Sequence, residues 1–343
     1  MASWMLREAE EAPRAVERLL RENEAEVRSL AAFLRRRPPA LVLTVARGSS
    51  DHAALFAKYL LETRLLWPTL SLAPSVLTLY GARPRVPLPG LLLAYSQSGE
   101  SPDVVEVVRA YRGAGVLTVA LVNREASPLA QAAEVVLPLH AGEERAVAAT
   151  KSFLAMLAAT AHLLAHLLEE PHLREALPAL PEALHRALGA EGSLEYLVEA
   201  ENLFVLGRGL VYPVALEAAL KLKEVAGLHA EGLSAAEFLH GPKALLEPGF
   251  PVLALAQRDG ALEATLRTLG ALRATGAHLL VLSPELEALE LADTPLRLPV
   301  ALGPELTPLL LAQAFYPLAE ALARARGLDP DRPRHLSKVT RTL

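Results

Sequence analysis

The segment of clearest chemical promise is Ser96-Gln97-Ser98-Gly99-Glu100-Ser101-Pro102-Asp103, set between the apolar run Leu91 to Tyr95 and the amphipathic VVEVVRAYRG. Ser101 suits a helix N-cap and Pro102 the first helical position. Three hydroxyls, a permissive glycine and free backbone N–H groups at a helix start make a pocket for a phosphate dianion, with no Lys or Arg needed in the loop. An ordinary polar loop with a good cap has the same residues, and composition alone leaves the two readings open. A second group is Glu217, Lys221 and Glu224, spaced i, i+4, i+7 on one face of a helix expected over Val214 to Ala226. By itself this pattern is most often an exposed salt-bridge ladder. His240 stands before Gly241-Pro242, a turn that ends a helix and presents the imidazole in a loop, and by itself it reads as a buried structural histidine. His229, Glu231, Glu237 and His240 also offer metal-ligating atoms, but in no familiar ligand spacing.

His162 and His166 are a further i,i+4 pair, on the apolar stretch Phe153 to Leu168. With no third ligand nearby in the sequence, burial or an interface is the expectation. The stretch falls short of the roughly 20 residues of a membrane span and carries both histidines, so it reads as a buried helix. The chain has 343 residues, 34 Lys+Arg against 39 Asp+Glu, and no long basic run, which argues against nucleic acid as a partner. It has no Cys, which excludes disulfides, thiolate metal sites and a cysteine nucleophile from this polypeptide. The opening MASWMLREAEEAPRAVERLL has acids and arginines where a signal peptide needs an apolar stretch of about 7–15 residues, so a cytoplasmic protein is expected.

The elements that must position these groups follow from alternating β-rich runs and amphipathic stretches, the mark of parallel βαβ units. Strands are expected at Leu41 to Ala46, Leu91 to Tyr95, Leu117 to Val122 and Val135 to Leu139. A second series is expected at Leu203 to Leu206, Val252 to Ala256, Leu279 to Leu282 and Leu296 to Val300. LVLTVARGSSDHAALFAKYLLE resembles LFVLGRGLVYPVALEAALKLKE when Arg47-Gly48 is laid on Arg208-Gly209, so an α/β domain duplication is the economical reading. The expected division is a helical segment over 1–36, a first domain over 37–168, a helical connector over 169–192, a second domain over 193–327 and a tail over 328–343. Ligands should gather at the carboxyl edges of the sheets.

SQSGES is similar to the SQSGET loop of the SIS (sugar isomerase) family. Ordered motifs extend the resemblance over essentially the whole chain: Met5-Leu6-Arg7-Glu8, ARGSSD, AVAATKSF, LGRG, ALKLKE, HAEG, EFLHGP and the tail RPRHLSK. They resemble the isomerase half of glutamine–fructose-6-phosphate aminotransferase and the SIS-type glucosamine-6-phosphate deaminases. The resemblance implies two duplicated doubly wound, flavodoxin-like parallel-sheet subdomains with flanking helices. It implies phosphate contacts from Ser96, Gln97, Ser98 and Ser101, sugar contacts from Gly48, Ser49 and Ser50, and backbone contacts from Val147 and Ala148. It further implies that Glu224, beside Lys221, moves a proton between C1 and C2, that His240 opens the ring, and that Lys338 forms a Schiff base with the open ketose. Arg47, Ala149 and His335 depart from the family pattern, where a small residue, a serine and an asparagine are usual.

The activity implied is aldose–ketose isomerisation with deamination, from glucosamine 6-phosphate to fructose 6-phosphate and ammonia, with no cofactor and no metal. Without a cysteine, this polypeptide is not expected to draw ammonia from glutamine in the aminotransferase's own way. An isomerase subunit served by a separate glutaminase subunit, a related amino-sugar-phosphate deglycase and a non-catalytic sugar-phosphate sensor are the alternatives. Glu224, His240 and Lys338 together weigh against the sensor, since binding needs only the phosphate loop. A homodimer is implied, with His240 reaching the neighbouring copy's sugar.

Overall fold

The structure, a computed structural model, describes residues 2–338, so the last five residues of the expected 328–343 tail lie outside it. The chain divides into two compact units, each discontinuous in sequence. Of the described residues, one comprises Arg14–Glu144, Lys151–Pro178 and 337–338; the other comprises 2–13, Arg145–Thr150 and Ala179–Leu336.

The first of these contains strands β1 (Leu41–Val45), β2 (Thr69–Ser71), β3 (Gly90–Ser96), β4 (Leu117–Val122) and β5 (Val135–Pro138). They form a parallel sheet of order β2-β1-β3-β4-β5. Every residue of β3 is buried, as expected of a central strand covered on both faces. Leu43, Val45, Leu92 and Ala94 share a core with Val104, Val108 and Tyr111 of the helix Pro102–Gly113. The helix Lys151–Leu167 is buried along its whole length, with helices Glu24–Arg36 and Ser49–Arg64 packed against it. Burial on all sides explains its apolar circumference. Among the described residues no helix is long and apolar enough to cross a membrane.

The second unit holds β6 (Asn202–Gly207), β7 (His229–Ser234), β8 (Pro251–Leu255), β9 (His278–Ser283) and β10 (Thr294–Arg297), also all parallel, in the order β10-β9-β8-β6-β7. Taken from its second strand, each sheet has the same winding, 2-1-3-4-5, so the duplication seen in the sequence is a duplication of topology. Gly48 (φ +56°) and Gly209 (φ +61°), paired in the sequence alignment, both take the left-handed backbone after the first strand of their sheet. Helix Tyr212–Ala226 packs against Thr307–Ala325.

Two strands, β2 and β7, were not expected, and both are edge strands. The first has three residues between Pro68 and Pro74; the second, HAEGLS, lacks an apolar run because it has a neighbour on one side only. The last strand starts and stops earlier than its apolar residues suggest. Arg297, the last residue in register with β9, turns its own N–H and C=O outward to Glu191, and Pro299 has no N–H to donate.

Candidate active site

In the order 2-1-3, the chain reverses its winding direction between β1 and β3, which opens a crevice at the carboxyl ends of these two strands. Two helix starts flank it: Ser49–Arg64 after β1 and Pro102–Gly113 after β3. Gly48 precedes the first, Ser49 is half-buried and Ser50 buried in its opening turn. After β3, Ser96 Oγ accepts from Gly99 N at 2.8 Å, and Ser98 Oγ accepts from Glu100 N at 3.2 Å. Each hydroxyl therefore serves the loop as an acceptor and keeps its proton to donate, which an anion requires. Gly99 has φ +67°, and a Cβ there would lie 2.2 Å from Ser127 Oγ and 2.5 Å from Ser127 Cβ. Gln97 and Ser101 are half-buried beside it.

Ser101 takes the N-cap position, but its side chain makes no capping hydrogen bond; Asp103 Oδ1 accepts from Val104 N at 2.8 Å instead. The hydroxyl is thus not committed to the helix. Arg47 reaches the same helix start, where its Nε and Nη2 donate to Asp103 Oδ2 at 2.9 and 2.6 Å. That pair gives the unusual arginine a fixed place at the rim of the loop.

Lys338 belongs to this unit and donates to Glu144 Oε2 at 2.8 Å. Glu144 is fully buried at its side chain and also accepts from Ser152 N (3.1 Å) and Ser152 Oγ (2.7 Å). Its placement had no sequence signal, because the Glu143-Glu144-Arg145 run before AVAATKSF reads as a solvated, charged loop.

In the second unit, Glu217, Lys221 and Glu224 share one face of Tyr212–Ala226, but the face is buried, not a solvated ladder. Lys221 Nζ lies 2.5 Å from Glu224 Oε2 and 3.4 Å from Glu217 Oε1. Burial alone would push the lysine's pKa down, but the two carboxylates outweigh it and hold the ammonium above the usual lysine range. Gly227, left-handed at φ +59°, ends the helix and puts Glu224 in its last turn. The negative end of the helix opposes a carboxylate there, and the Lys221 ammonium compensates. Glu224 keeps 18% of its side chain exposed and lines a cavity of about 570 Å³, together with Lys223, Arg326, Arg332 and Leu336. Tail residues therefore share a cavity wall with Glu224.

His240 follows helix Ala235–Phe238 in an exposed turn, before Gly241 at φ +151° and Pro242. The buried reading of this histidine does not hold. Ala148 is buried and Val147 half-buried, in a loop whose Arg145 and Ala146 N–H groups donate to the buried Glu8 carboxylate, at 2.5 and 3.2 Å. Tail residue Asp331 accepts from the N–H groups of Trp4 (2.7 Å) and Met5 (2.9 Å) and caps the helix Trp4–Glu22 that carries Glu8. His335 has φ +62°, a region where asparagine is better tolerated than histidine, which gives a physical reason for the family's usual residue. Spacing could not reveal Glu8 and Asp331, since their partners are remote in sequence.

Residues 40–166 and 196–289 match the SIS domain family. The chain is 33% identical, over 98% of its length, to the glutamine–fructose-6-phosphate aminotransferase (isomerizing) of Pyrococcus horikoshii, and 36% identical over 98% to that of a Thermus thermophilus strain. It spans 57% and 58% of those relatives, a little over half of each. A solved structure from Silicibacter pomeroyi DSS-3, provisionally described as a phosphosugar isomerase, is 42% identical with a TM-score of 0.87, covering 96% of this chain and all of that one. The C-terminal domain of glucosamine-fructose-6-phosphate aminotransferase from Francisella tularensis is 28% identical, with a TM-score of 0.84 over 97% of this chain and 99% of that one. With both halves of the chain matched, it belongs to the SIS domain family.

Proposed function

We propose that the chain is a phosphosugar aldose–ketose isomerase and deaminase, converting glucosamine 6-phosphate and water to fructose 6-phosphate and ammonia. The observation that carries this reading is the buried Glu217–Lys221–Glu224 group with Glu224 alone opening on a cavity. Burying such a group costs several kcal/mol per ion and adds little stability, whereas a base positioned by an ammonium is what enolisation needs. The serine-rich loop with its forced glycine would hold the phosphate. His240 would pass a proton to the ring oxygen, Glu224 would take the C2 proton and return it to C1, and water would displace ammonia from the resulting ketimine. Lys338 could attack that ketimine only after parting from Glu144. The exposed His240 suits service to a neighbouring copy in a homodimer. A chain of the 37–168 and 193–327 domains with a 328–343 tail would then be the working unit.

The relatives' names favour a second reading, in which a separate glutaminase subunit supplies ammonia and the reaction runs toward glucosamine 6-phosphate. Incubation of the pure protein with glucosamine 6-phosphate, assayed for both ammonia and fructose 6-phosphate, tests the first reading. Synthesis from fructose 6-phosphate and free ammonia, with no measurable breakdown, would favour the second. In either case Glu224→Gln should retain ligand affinity and lose exchange of the C2 proton with solvent deuterium; exchange at the wild-type rate would reduce Glu224 to a structural carboxylate.

A further inference from the structure

We propose that Glu24, His162 and His166 form a binding site for one divalent first-row transition metal ion, with Zn²⁺ the best chemical match. His162 and His166 stand one turn apart on the buried helix Lys151–Leu167, and Glu24 is the first residue of the helix Glu24–Arg36 packed against it. The third ligand that the sequence did not offer thus comes from 138 residues away. The Nε2 atoms of His162 and His166 lie 3.0 and 3.1 Å from a single oxygen, Glu24 Oε2, and the three ligand atoms lie within 4.8 Å of one another.

The two nitrogen–oxygen separations suit a metal, and a side-chain rotation brings the two nitrogens to the same ion. Zinc binds imidazole nitrogen and carboxylate oxygen at about 2.0–2.2 Å, which puts adjacent ligand atoms about 3 Å apart at right angles and about 3.4 Å apart in a tetrahedron. Two imidazoles and a carboxylate make a borderline donor set apt for zinc and its neighbours, not for calcium or magnesium. The histidines are buried and Glu24 is exposed, so solvent has access for a further ligand. A second link joins the same two helices: Arg35, on the helix that carries Glu24, donates from Nη1 to His166 O at 2.8 Å.

Hydrogen bonding alone accounts poorly for the arrangement. Nδ1 of His162 is buried with no partner among the described residues, so Nε2 carries all of that ring's polar compensation, and Glu24 Oε2 must divide itself between two rings. After its first residue, Lys151, the rest of this helix is Ala, Leu, Met and Phe with Ser152 and Thr160, and leucine at both histidine positions would avoid the desolvation of two imidazoles. A bound cation offsets that cost and joins the two helices.

The test uses untagged full-length protein stripped with a chelator and then titrated with Co²⁺, followed by visible absorption and by displacement with Zn²⁺. The expected result is one Co²⁺ per chain with ligand-field bands, displaced by stoichiometric Zn²⁺, and a melting temperature that rises with Zn²⁺. Glu24→Gln, a change on an exposed side chain, should weaken binding by at least about tenfold, and His166→Gln should abolish both the bands and the thermal shift. No saturable binding, or binding unchanged in Glu24→Gln, would overturn the assignment. The second outcome would put the metal on other histidines of the chain.

Discussion

Replacing Gly99 by alanine separates the backbone's contribution to the proposed phosphate loop from that of its hydroxyls. The left-handed φ of +67° costs an alanine about 1–2 kcal/mol, and the new methyl would sit 2.5 Å from Ser127 Cβ, an overlap that only movement can relieve. Relief of overpacking of this kind costs about 1–3 kcal/mol more. Gly81→Ala supplies the control, because Gly81 has nearly the same φ, +62°, and a Cβ there meets nothing within 4 Å. The control should therefore lose about 1–2 kcal/mol and the test variant about 2–5 kcal/mol, at about 2–4 °C of melting temperature per kcal/mol. If the loop moves, one charge-assisted donor lost to the phosphate is worth about 1.5–3 kcal/mol, or roughly 10- to 100-fold in affinity. Differential scanning calorimetry and titration with glucose 6-phosphate read both quantities. Equal melting temperatures and equal affinities in the two variants would refute the reasoning.

Lys338→Arg keeps a cation for Glu144 but cannot form a Schiff base, so it should retain the wild-type melting temperature and lose turnover by orders of magnitude; normal turnover would remove Lys338 from the chemistry. Because the folded state holds the Lys221 pKa above its ordinary value, the stabilisation is complete below the ordinary lysine range and fades as pH rises through the raised value. Melting temperatures of wild type should accordingly fall more steeply above about pH 10.5 than those of Lys221→Met, and parallel curves would contradict the assignment. If His240 serves a neighbouring copy, mixing Glu224→Gln with His240→Ala protomers should restore part of the activity, and no recovery after verified subunit exchange would confine the site to one chain.

What could be read from the sequence was what local pattern encodes. Central strands such as β3 announce themselves by unbroken apolar runs, and the repeated glycine after β1 and β6 exposed the duplication. Edge strands β2 and β7 had no such run. The motif residues were legible through their resemblance to a family, while the groups that brace them were not. Glu8 and Asp331 bind backbone N–H groups, and Glu144 two residues already in motifs; a carboxylate in a charged stretch looks the same in sequence whether it is solvated or structural. The Glu-Lys-Glu face was read as exposed on pattern alone, because periodicity reports which residues share a face and not what covers it. Glu24 shows the same limit: two histidines one turn apart were visible, and their carboxylate partner was not.

The cap that Asp331 places on Trp4 and Met5 bears on how the protein is made. Those hydrogen bonds join residues 327 and 326 positions apart. On the ribosome, the helix Trp4–Glu22 emerges long before its cap exists, and the loop it braces through Glu8 is synthesised midway. The sheet β1–β5 can assemble as its residues appear, while the unit containing β6–β10 gathers residues 2–13 only once the segment carrying Asp331 has been made. Closing so wide a loop costs little more than closing one half as wide, about 0.6 kcal/mol per doubling, but it delays completion. Contacts between residues so far apart raise the contact order of the unit containing β6–β10 and slow its completion.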